Sequence, residues 1–187
     1  MQELAKVCEE AARLGGQILL DWRGRFGVKE KGRFDLVTEA DIASQQAIRR
    51  FVLDSFPDHG FLGEEDTVQP GDPNPLKKHE YCWIVDPLDG PTNYIHGMKD
   101  YCTSIALHCG GRIVVAAIFS PELGECFTAV ENNGAFVNGT RLEVSSAEQL
   151  QESLVAGSFP PASTRESFDV QAFTEVLEQC RSIRRLG

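Results

Sequence analysis

The strongest candidates for chemistry are two aspartates three residues apart, Asp86 and Asp89, in the segment Asp-Pro-Leu-Asp-Gly-Pro-Thr-Asn. Pro87 fixes φ between them, and Gly90 permits a tight turn with close approach of the backbone. If Pro91 begins a helix, its missing N–H costs nothing there, and the helix start offers backbone N–H groups to an anion. The carboxylates can converge as hard oxygen ligands beside a phosphate-sized gap. A polar turn without function is the alternative interpretation.

Two further acidic segments precede this pair. Glu64, Glu65 and Asp66 follow one another after an apolar dipeptide, and a solvated acidic loop is the simplest interpretation of such a run. Asp41 lies three residues after Thr38, a spacing typical of a helix N-terminal capping arrangement. Asp41 could therefore be an ordinary first-turn carboxylate, stabilised by the helix dipole.

The charge of the chain limits the kinds of ligand it can bind. The formal net charge of −10 argues against general nucleic-acid binding. It also predicts repulsion of a phosphorylated substrate, which bound metal would overcome. An all-oxygen ligand set suits Mg²⁺, with Mn²⁺ possible, and disfavours zinc. We therefore expect a small phosphorylated substrate as the partner, with neither nucleic acid nor membrane.

Two amino-terminal helices must position these acids. Apolar residues recur with helical spacing over residues 3–22, and a second helix is predicted from about Thr38 to Ser55, before Pro57. The inward face of the second helix is predicted to contain Ala40, Ala43, Ala47, Phe51 and Val52. Residues 61–80 are predicted to form a loop, because Gly and Pro interrupt them repeatedly.

Strands dominate the middle of the chain. Residues 82–85 predict a buried strand that delivers Asp86 at its carboxyl end. Further strands are predicted at about 101–108, 112–119, 125–130, 135–137 and 141–144, with glycine- and asparagine-rich turns between them. A strand near Leu154–Ser158, a helix near Ser167–Cys180 and a strand starting at Ile183–Leu186 follow.

These elements predict an α+β fold: a layered helix/sheet sandwich with an antiparallel sheet and two amino-terminal helices, followed by a partial α/β region. The polar segment Ser145–Glu152 is the predicted boundary. Residues 1–146 would form a domain that carries the metal site, and residues 147–187 would begin a carboxy-terminal α/β domain.

Four motifs in this order resemble the inositol monophosphatase family of Mg²⁺-dependent, lithium-sensitive phosphatases. They are D-L-V-T-E-A-D at 35–41, G-E-E at 63–65, W-I-V-D-P-L-D-G-P-T-N-Y-I-H-G at 83–97 and G-A-F-V-N-G at 134–139. Each motif is weak alone, but the ordered set is specific and spans nearly the whole chain. The resemblance implies Mg²⁺-dependent hydrolysis of a small phosphomonoester by metal-activated water, with myo-inositol 1-phosphate as the default substrate.

The resemblance also implies roles for particular residues. Glu64 would bind one metal and orient the attacking water, and Asp86 would bridge the metals. The backbone carbonyl of Leu88 would complete the first metal site, and Asp89 would bind the second metal. Asp41 and Glu65 match acids near the site. The implied catalytic residues are Glu64, Asp41 and Thr92, and the implied substrate-binding residues are Asp89, Gly90, Pro91, Thr92 and Gly187.

The sequence departs from the family pattern in two ways. Family members usually have Thr where Pro91 stands, and proline supplies neither the hydroxyl nor the N–H that holds water and phosphate. Family members also continue past Gly187, which matches the start of a loop that touches substrate, to a W-D motif with another metal ligand. We therefore expect a truncated chain with weak metal binding, little activity and self-association, with a homodimer as the expected state.

Other functions stay open. Histidinol phosphate, fructose bisphosphate and 3′-phosphoadenosine nucleotides are alternative substrates within the superfamily. A non-catalytic family member acting through protein partners is a different class, and a sugar-phosphate or nucleotide-binding module is a third. The six cysteines form no C-x-x-C pair, and the amino terminus lacks a signal-peptide pattern, so we expect a cytoplasmic protein.

Overall fold

A computed structural model describes residues 1–25, 28–32, 35–66, 74–158 and 163–184, with side chains described outside residues 26–37. The chain divides into two compact units. The first contains Met1–Lys29 and Leu36–Leu142, and the second contains Glu30–Asp35 and Glu143–Gly187. The predicted domains with a boundary near 146 remain a prediction.

The first unit begins with the long helix α1, Gln2–Trp22, as its apolar periodicity predicts. Strands β1, Val28–Gly32, and β2, Asp35–Thr38, form a separate two-stranded sheet, and helix α2, Glu39–Ser55, of the first unit comes next along the chain. The two helices approach closely at Gly15. A Cβ at this position would lie 2.6 Å from Ile48 Cδ1 and 2.9 Å from Ser44 Oγ, so a larger residue would force these side chains to move.

The predicted inward face of α2 was wrong at two positions. Ala40 and Val52 are buried and the partly buried Phe51 packs against the core, but Ala43 and Ala47 are only partly buried and lie outside the core cluster. The buried residues of α2 are Ala40, Asp41, Ser44, Gln45, Ile48 and Val52. The periodicity of alanines misled the prediction, because a small side chain costs little on either face of a helix. Polar residues therefore occupy part of the buried face.

A seven-stranded sheet forms the rest of the first unit, with the strands in chain order. The elements are β3 Gly60–Gly63, α3 Pro75–Lys78, β4 Tyr81–Asp89, α4 Pro91–Ile95, β5 Cys102–Cys109, β6 Arg112–Ser120, β7 Glu125–Val130, β8 Gly134–Val137 and β9 Thr140–Arg141. All neighbouring strands are antiparallel except β3, which is parallel to β4. The predicted α+β class is confirmed.

The structure corrects two predictions about these elements. The segment predicted as a loop at 61–80 contains most of β3 and the one-turn helix α3, while residues 67–73 lie outside the described part of the chain. The strand predicted at 141–144 is instead the short β9. Only four residues form β3, too few for an alternating pattern to be visible in the sequence.

The hydrophobic core lies between the helices and one face of the sheet. Trp83, Ile105 and Leu107 on the central strands are at most 1% exposed and belong to one buried cluster with residues of α1 and α2, such as Ala11 and Ile48. Burial of this face fixes the strand register, since a one-residue shift would turn every side chain to the opposite face. The ends of β3 and β4 are thereby held in place.

The second unit contains a 3-10 turn at Leu150–Glu152, strand β10 Leu154–Ala156, helix α5 Phe168–Gln179 and strand β11 Ser182–Arg184. Strands β10 and β11 are parallel, with Val155 opposite Ile183. The helix between them confirms the predicted strand–helix–strand order. Leu186, at the end of the last predicted strand, lies outside the described residues. Within the described part of the chain, every helix is too short or too polar to cross a bilayer.

Candidate active site

Parallel pairing of β3 with β4 brings Glu64 beside Asp86. Gly63, the last residue of β3, lies opposite Val85. The next residue on each strand is therefore an acid, and the Glu64 backbone N–H continues the ladder by donating to the Val85 carbonyl at 3.0 Å. Because both strands run in the same direction, their carboxyl ends meet at one edge of the sheet. Two acids 22 positions apart in the sequence become neighbours there.

An irregularity in β4 turns Asp86 and Asp89 to the same face of the sheet. Asp86 pairs with Ser104 and Asp89 pairs with Cys102, so three steps along β4 match two steps along β5. In a regular strand, residues three apart point to opposite faces. The extra residue of this bulge restores the common face. Pro87 lies within it, where a missing ladder N–H is tolerated.

The side chain between the two aspartates anchors the bulge. Leu88 is 2% exposed and packs in a buried cluster with Leu19, Tyr94 and Tyr101. Its backbone N–H donates to Asp86 Oδ1 at 3.1 Å. On the adjacent strand, the buried hydroxyl of Thr103 donates to the Pro87 carbonyl at 3.0 Å. The backbone that presents both aspartates is therefore held by an apolar side chain and by two hydrogen bonds.

The acids interact in pairs. Burial raises the pKa of Asp86 to about 8, and a hydrogen bond with the Glu64 side chain and the charges of Glu64 and Asp89 contribute to the shift. The Cys102 thiol lies 3.8 Å from Asp89 Oδ2. Burial and the charges of Asp89 and Asp86 raise the pKa of this thiol to about 12, so the thiol stays protonated. The site concentrates negative charge that a cation would offset.

Helix α4 begins directly after Asp89. Gly90 has φ of +90°, and a Cβ there would lie 3.0 Å from the Asp100 carbonyl, so glycine is required on both counts. Pro91 is the first residue of the helix, as predicted. The Asn93 side chain donates to the Asp100 carbonyl at 2.7 Å, which ties the helix to the chain that enters β5. Thr92 is exposed in the first turn.

Asp41 forms the capping box that its spacing from Thr38 predicts. Its carboxylate accepts from the Thr38 backbone N–H at 2.9 Å and from the Thr38 hydroxyl, while Thr38 Oγ1 accepts from the Asp41 N–H. Burial raises the pKa of Asp41, and the hydrogen bonds from Thr38 oppose the shift. The charge of Glu65 also raises it. Asp41 thus caps α2, and its electrostatic interaction with Glu65 links it to the acidic loop.

Two residues that the sequence analysis did not identify contact the acidic loop. Gln45 and Arg49 extend from α2, where Gln45 hydrogen-bonds to Glu65 and Asp66 and Arg49 hydrogen-bonds to Asp66. Together with Asp41 they form a polar stripe with a spacing of four residues along one side of α2. That spacing was the available signal, and polar residues at i and i+4 share a helix face.

The predicted metal ligands do not all converge. Among the residues that the structure describes, no three or more His, Cys, Asp or Glu side chains are arranged so that they could hold a metal ion. Glu64 contacts Asp86, and Asp86 interacts with Asp89, but the three do not surround a single point. Gly187, predicted to bind substrate, lies outside the described residues. The roles assigned to the site residues stay predictions.

Comparison with known proteins identifies the family. The model of the inositol monophosphatase family matches residues 1–187. The chain belongs to the inositol monophosphatase family. This assignment supports a phosphatase that hydrolyses phosphoric monoesters, and it leaves the substrate open.

Relatives within the family carry different names. The chain is 38% identical to inositol monophosphatase 2 of Solanum lycopersicum, covering 100% of this chain and 71% of the relative. It is 33% identical to a fructose-1,6-bisphosphatase/inositol-1-monophosphatase of Aquifex aeolicus, covering 100% and 70%. It is 34% identical to the Nus factor SuhB of Pseudomonas aeruginosa, again covering 100% and 70%. Similarity therefore fixes the family and not the substrate.

Solved structures share the fold. The extragenic suppressor protein suhB of Bartonella henselae matches with a TM-score of 0.89 and 32% identity, covering 99% of this chain and 70% of that protein. An IMPase/NADP phosphatase complexed with Mg²⁺ and phosphate matches with a TM-score of 0.76 and 23% identity, covering 92% and 62%. At this lower identity, the second likeness supports the fold alone.

Proposed function

We propose that this protein catalyses the divalent-cation-dependent hydrolysis of a small phosphomonoester, with Mg²⁺ as the cofactor and myo-inositol 1-phosphate as the preferred substrate. The observation that supports this most is the side-by-side placement of Glu64 and Asp86 at the sheet edge, with Asp89 turned to the same face by the bulge. Family membership supports the phosphatase class. The choice of substrate rests on the family resemblance.

The residues present fit Mg²⁺ or Mn²⁺ in charge and in donor type. The donors are carboxylate and backbone oxygens, which hard cations prefer. Burial, the hydrogen bond with Glu64 and the charges of Glu64 and Asp89 raise the pKa of Asp86 to about 8, and a cation would favour its ionised form. Glu64, Asp86 and Asp89 would hold the ions, together with the Leu88 carbonyl. When bound, such ions activate a water and neutralise phosphate charge.

The chain's own residues supply positioning and proton transfer. Glu64 would orient the attacking water and accept its proton, because it is exposed beside the partly buried Asp86. The loop of Gly90, Pro91 and Thr92 would lie against the phosphate, and Gly187 would contact the substrate. Asp41 would act indirectly, through Glu65, since one of its carboxylate oxygens is used in the helix cap and the charge of Glu65 acts on it. Phosphoryl transfer mainly requires such positioning and electrostatics.

Pro91 is expected to limit the rate. A threonine at this position would add a hydroxyl and a backbone N–H at the start of α4, where an anion can accept from both. We expect Pro91→Thr to raise kcat by about 10²–10³, the size of effect that single oxyanion donors have. Phosphate release under saturating Mg²⁺ measures this effect. An unchanged or lower kcat would contradict the assigned role of this position.

The proposed function is tested by phosphate release with Mg²⁺ titrated, using myo-inositol 1-phosphate, fructose 1,6-bisphosphate, histidinol phosphate and a 3′-phosphoadenosine nucleotide. We expect Mg²⁺-dependent release that is fastest with the inositol ester and is lost in Asp86→Asn and Glu64→Gln. Exposed Glu148 provides the matched control, Glu148→Gln, which should release phosphate at the wild-type rate. Phosphate release that does not depend on Mg²⁺, or that persists in both Asp86→Asn and Glu64→Gln, would refute the proposal.

A non-catalytic role through a protein partner is the second candidate. Pro91 favours it, because the helix start lacks the donors that family catalysis uses. The similarity to a Nus factor is a second reason to test it. Tight Mg²⁺ binding without release of phosphate from any of the four esters, even in the Pro91→Thr variant, would support this candidate over the enzyme.

A further inference from the structure

The loop that carries Glu64 is closed on itself. Asp66 accepts from the Gly63 N–H through Oδ2 at 2.9 Å, and the Asp66 N–H donates to the Gly63 carbonyl at 3.1 Å. These two bonds set the path of the backbone from residue 63 to residue 66. Glu64 and Glu65 therefore project from a short turn whose ends are fixed.

Gln45 of α2 contacts this turn through both the oxygen and the nitrogen of its side-chain amide. Its Oε1 accepts from the Glu65 backbone N–H at 2.9 Å, and its Nε2 donates to Asp66 Oδ1 at 3.1 Å. A Cβ on Gly63 would lie 2.2 Å from Gln45 Oε1, so the backbone at Gly63 packs directly on the amide. Gln45 is 5% exposed. One buried side chain thus touches three of the four residues of the turn.

Arg49, four residues after Gln45 on α2, also contacts the acidic turn. Its guanidinium forms an ion pair with Asp66 and lies over the Phe61 ring, 4.1 Å from the ring centroid. The Arg49 side chain is 38% exposed, so solvent screens its ion pair. The Gln45 amide, by contrast, is buried, so water has little access to its hydrogen bonds with the turn.

We propose that Gln45 is a positioning residue that fixes Glu64 for cation binding, by holding the backbone of the acidic turn. The proposal deepens the proposed function and rests on it, because it assigns Glu64 to the cation site. Gln45 touches neither the cation nor the substrate. Residues that orient metal ligands in this indirect way typically contribute about 10- to 100-fold to metal affinity.

The donor and acceptor pattern requires an amide at position 45. A glutamate there could still accept from the Glu65 N–H, but it would place a second carboxylate against Asp66 in a partly buried contact. Simple electrostatics predicts that an added negative charge tightens cation binding. Positioning predicts the opposite, because repulsion at Asp66 disturbs the turn. The sign of the effect therefore separates the two explanations.

The test is Mn²⁺ binding to the wild-type chain and to variants at two neighbouring glutamines of α2. Gln45→Glu and Gln45→Met are compared with Gln46→Glu and Gln46→Met, since Gln46 is exposed on the same helix. Isothermal titration should show Mn²⁺ affinity reduced about 10- to 100-fold in both position-45 variants. The position-46 variants should bind as the wild type does or, for the glutamate, slightly more tightly.

A rescue separates positioning from general destabilisation. Asp66→Asn in the Gln45→Glu background restores a donor opposite the new acceptor, so the double variant should regain most of the lost affinity. Recovery in the double variant shows that positions 45 and 66 are coupled. Titration under conditions in which the unfolding data show every variant to be folded excludes weakened folding as the cause. Urea unfolding of each variant identifies any protein that fails to fold, in which case the double variant decides the question.

Each outcome has a defined meaning. If the wild type binds Mn²⁺ and the position-45 variants bind it equally well, the assignment of Gln45 is overturned and the proposed function stays intact. The same holds if Gln45→Glu binds Mn²⁺ more tightly than the wild type. Absence of Mn²⁺ binding by the wild-type chain overturns the proposed function, and the assignment of Gln45 with it. If Mn²⁺ affinity falls in the position-45 variants but not in the position-46 variants, and Asp66→Asn restores it, the result supports both the proposed function and the assignment of Gln45.

Discussion

The two ends of strand β4 bury ionisable groups in opposite surroundings. At its start, the His59 ring stacks between Phe56, at 4.7 Å, and Tyr81, at 5.0 Å between ring centroids. At its end, Asp86 lies among other acids. Burial lowers the pKa of His59 and raises that of Asp86, so each environment favours the neutral form. The aromatic end holds an uncharged ring, and we propose that the acidic end holds a cation.

The two ends also differ in hydrogen bonding. Among the described residues, His59 Nδ1 and Trp83 Nε1 at the aromatic end are buried without a hydrogen-bond partner, as are Ser44 Oγ and His108 Nδ1. At the acidic end, the Asp86 carboxyl accepts from the Leu88 N–H and is hydrogen-bonded to Glu64. Burial at the start of β4 is stabilised by ring packing, and burial at its end by hydrogen bonds.

The largest expected effect concerns the anchor of the acidic end. Leu88→Ala should reduce the free energy of unfolding by about 2–5 kcal/mol, because it leaves a cavity against Leu19, Tyr94 and Tyr101. Leu123→Ala is the control, since Leu123 is 65% exposed, and it should change stability by less than about 0.5 kcal/mol. Urea unfolding measures both. Equal effects of the two substitutions would show that the bulge is not anchored by its leucine.

An intermediate effect is expected for Asp86 itself. Its raised pKa stabilises the metal-free chain at low pH, and this stability is lost as the pH rises from about 4 to about 8. Asp86→Asn should therefore be more stable than the wild type at pH 8 without metal, by about 1–2 kcal/mol after solvent screening. Below pH 4 the difference should vanish. Urea unfolding at several pH values checks this, and a pH-independent difference would contradict the raised pKa of Asp86.

The smallest effect has the opposite sign and lies at the aromatic end. The lowered pKa of His59 gives stability that is present above pH 6.5, the ordinary histidine value, and is lost as the pH falls below it. The charges of Asp58 and Glu80 reduce this shift, and His79 increases it. At acidic pH the wild type should lose about 1 kcal/mol or less of its free energy of unfolding through this group, and His59→Phe should remove that loss. The control His96→Gln changes an exposed histidine and should keep the acid-dependent loss of stability. If the loss persists in His59→Phe, it does not come from His59.

The sequence predicted those features that depend on local patterns. The amphipathic spacing of α1, the turn residues between the strands and the capping box of Thr38 and Asp41 each depend on neighbours within a few residues. Pro91 at the first position of α4 was predicted from proline chemistry in the same way. Local sequence is enough here, because the interactions that stabilise these features are themselves local.

The remaining features depend on contacts between distant residues. Strand β3 exists because Gly60–Gly63 pairs with β4, and no pattern within four residues could indicate the register that puts Glu64 beside Asp86. The bulge that turns Asp89 to the same face depends on the pairing with β5. The family resemblance predicted a shared site for these acids, but the pairing that brings Glu64 beside Asp86 depends on the sheet.

We propose that Glu64, Asp86 and Asp89 bind divalent cations at this end of β4. Isothermal titration of Mn²⁺ into the wild-type chain, Glu64→Gln, Asp86→Asn, Asp89→Asn and the exposed control Glu148→Gln tests this proposal. We expect saturable binding by the wild type and the control, and a large loss of affinity in each of the three site variants. Binding that is unaffected by the three substitutions, or absent from the wild type, would contradict it.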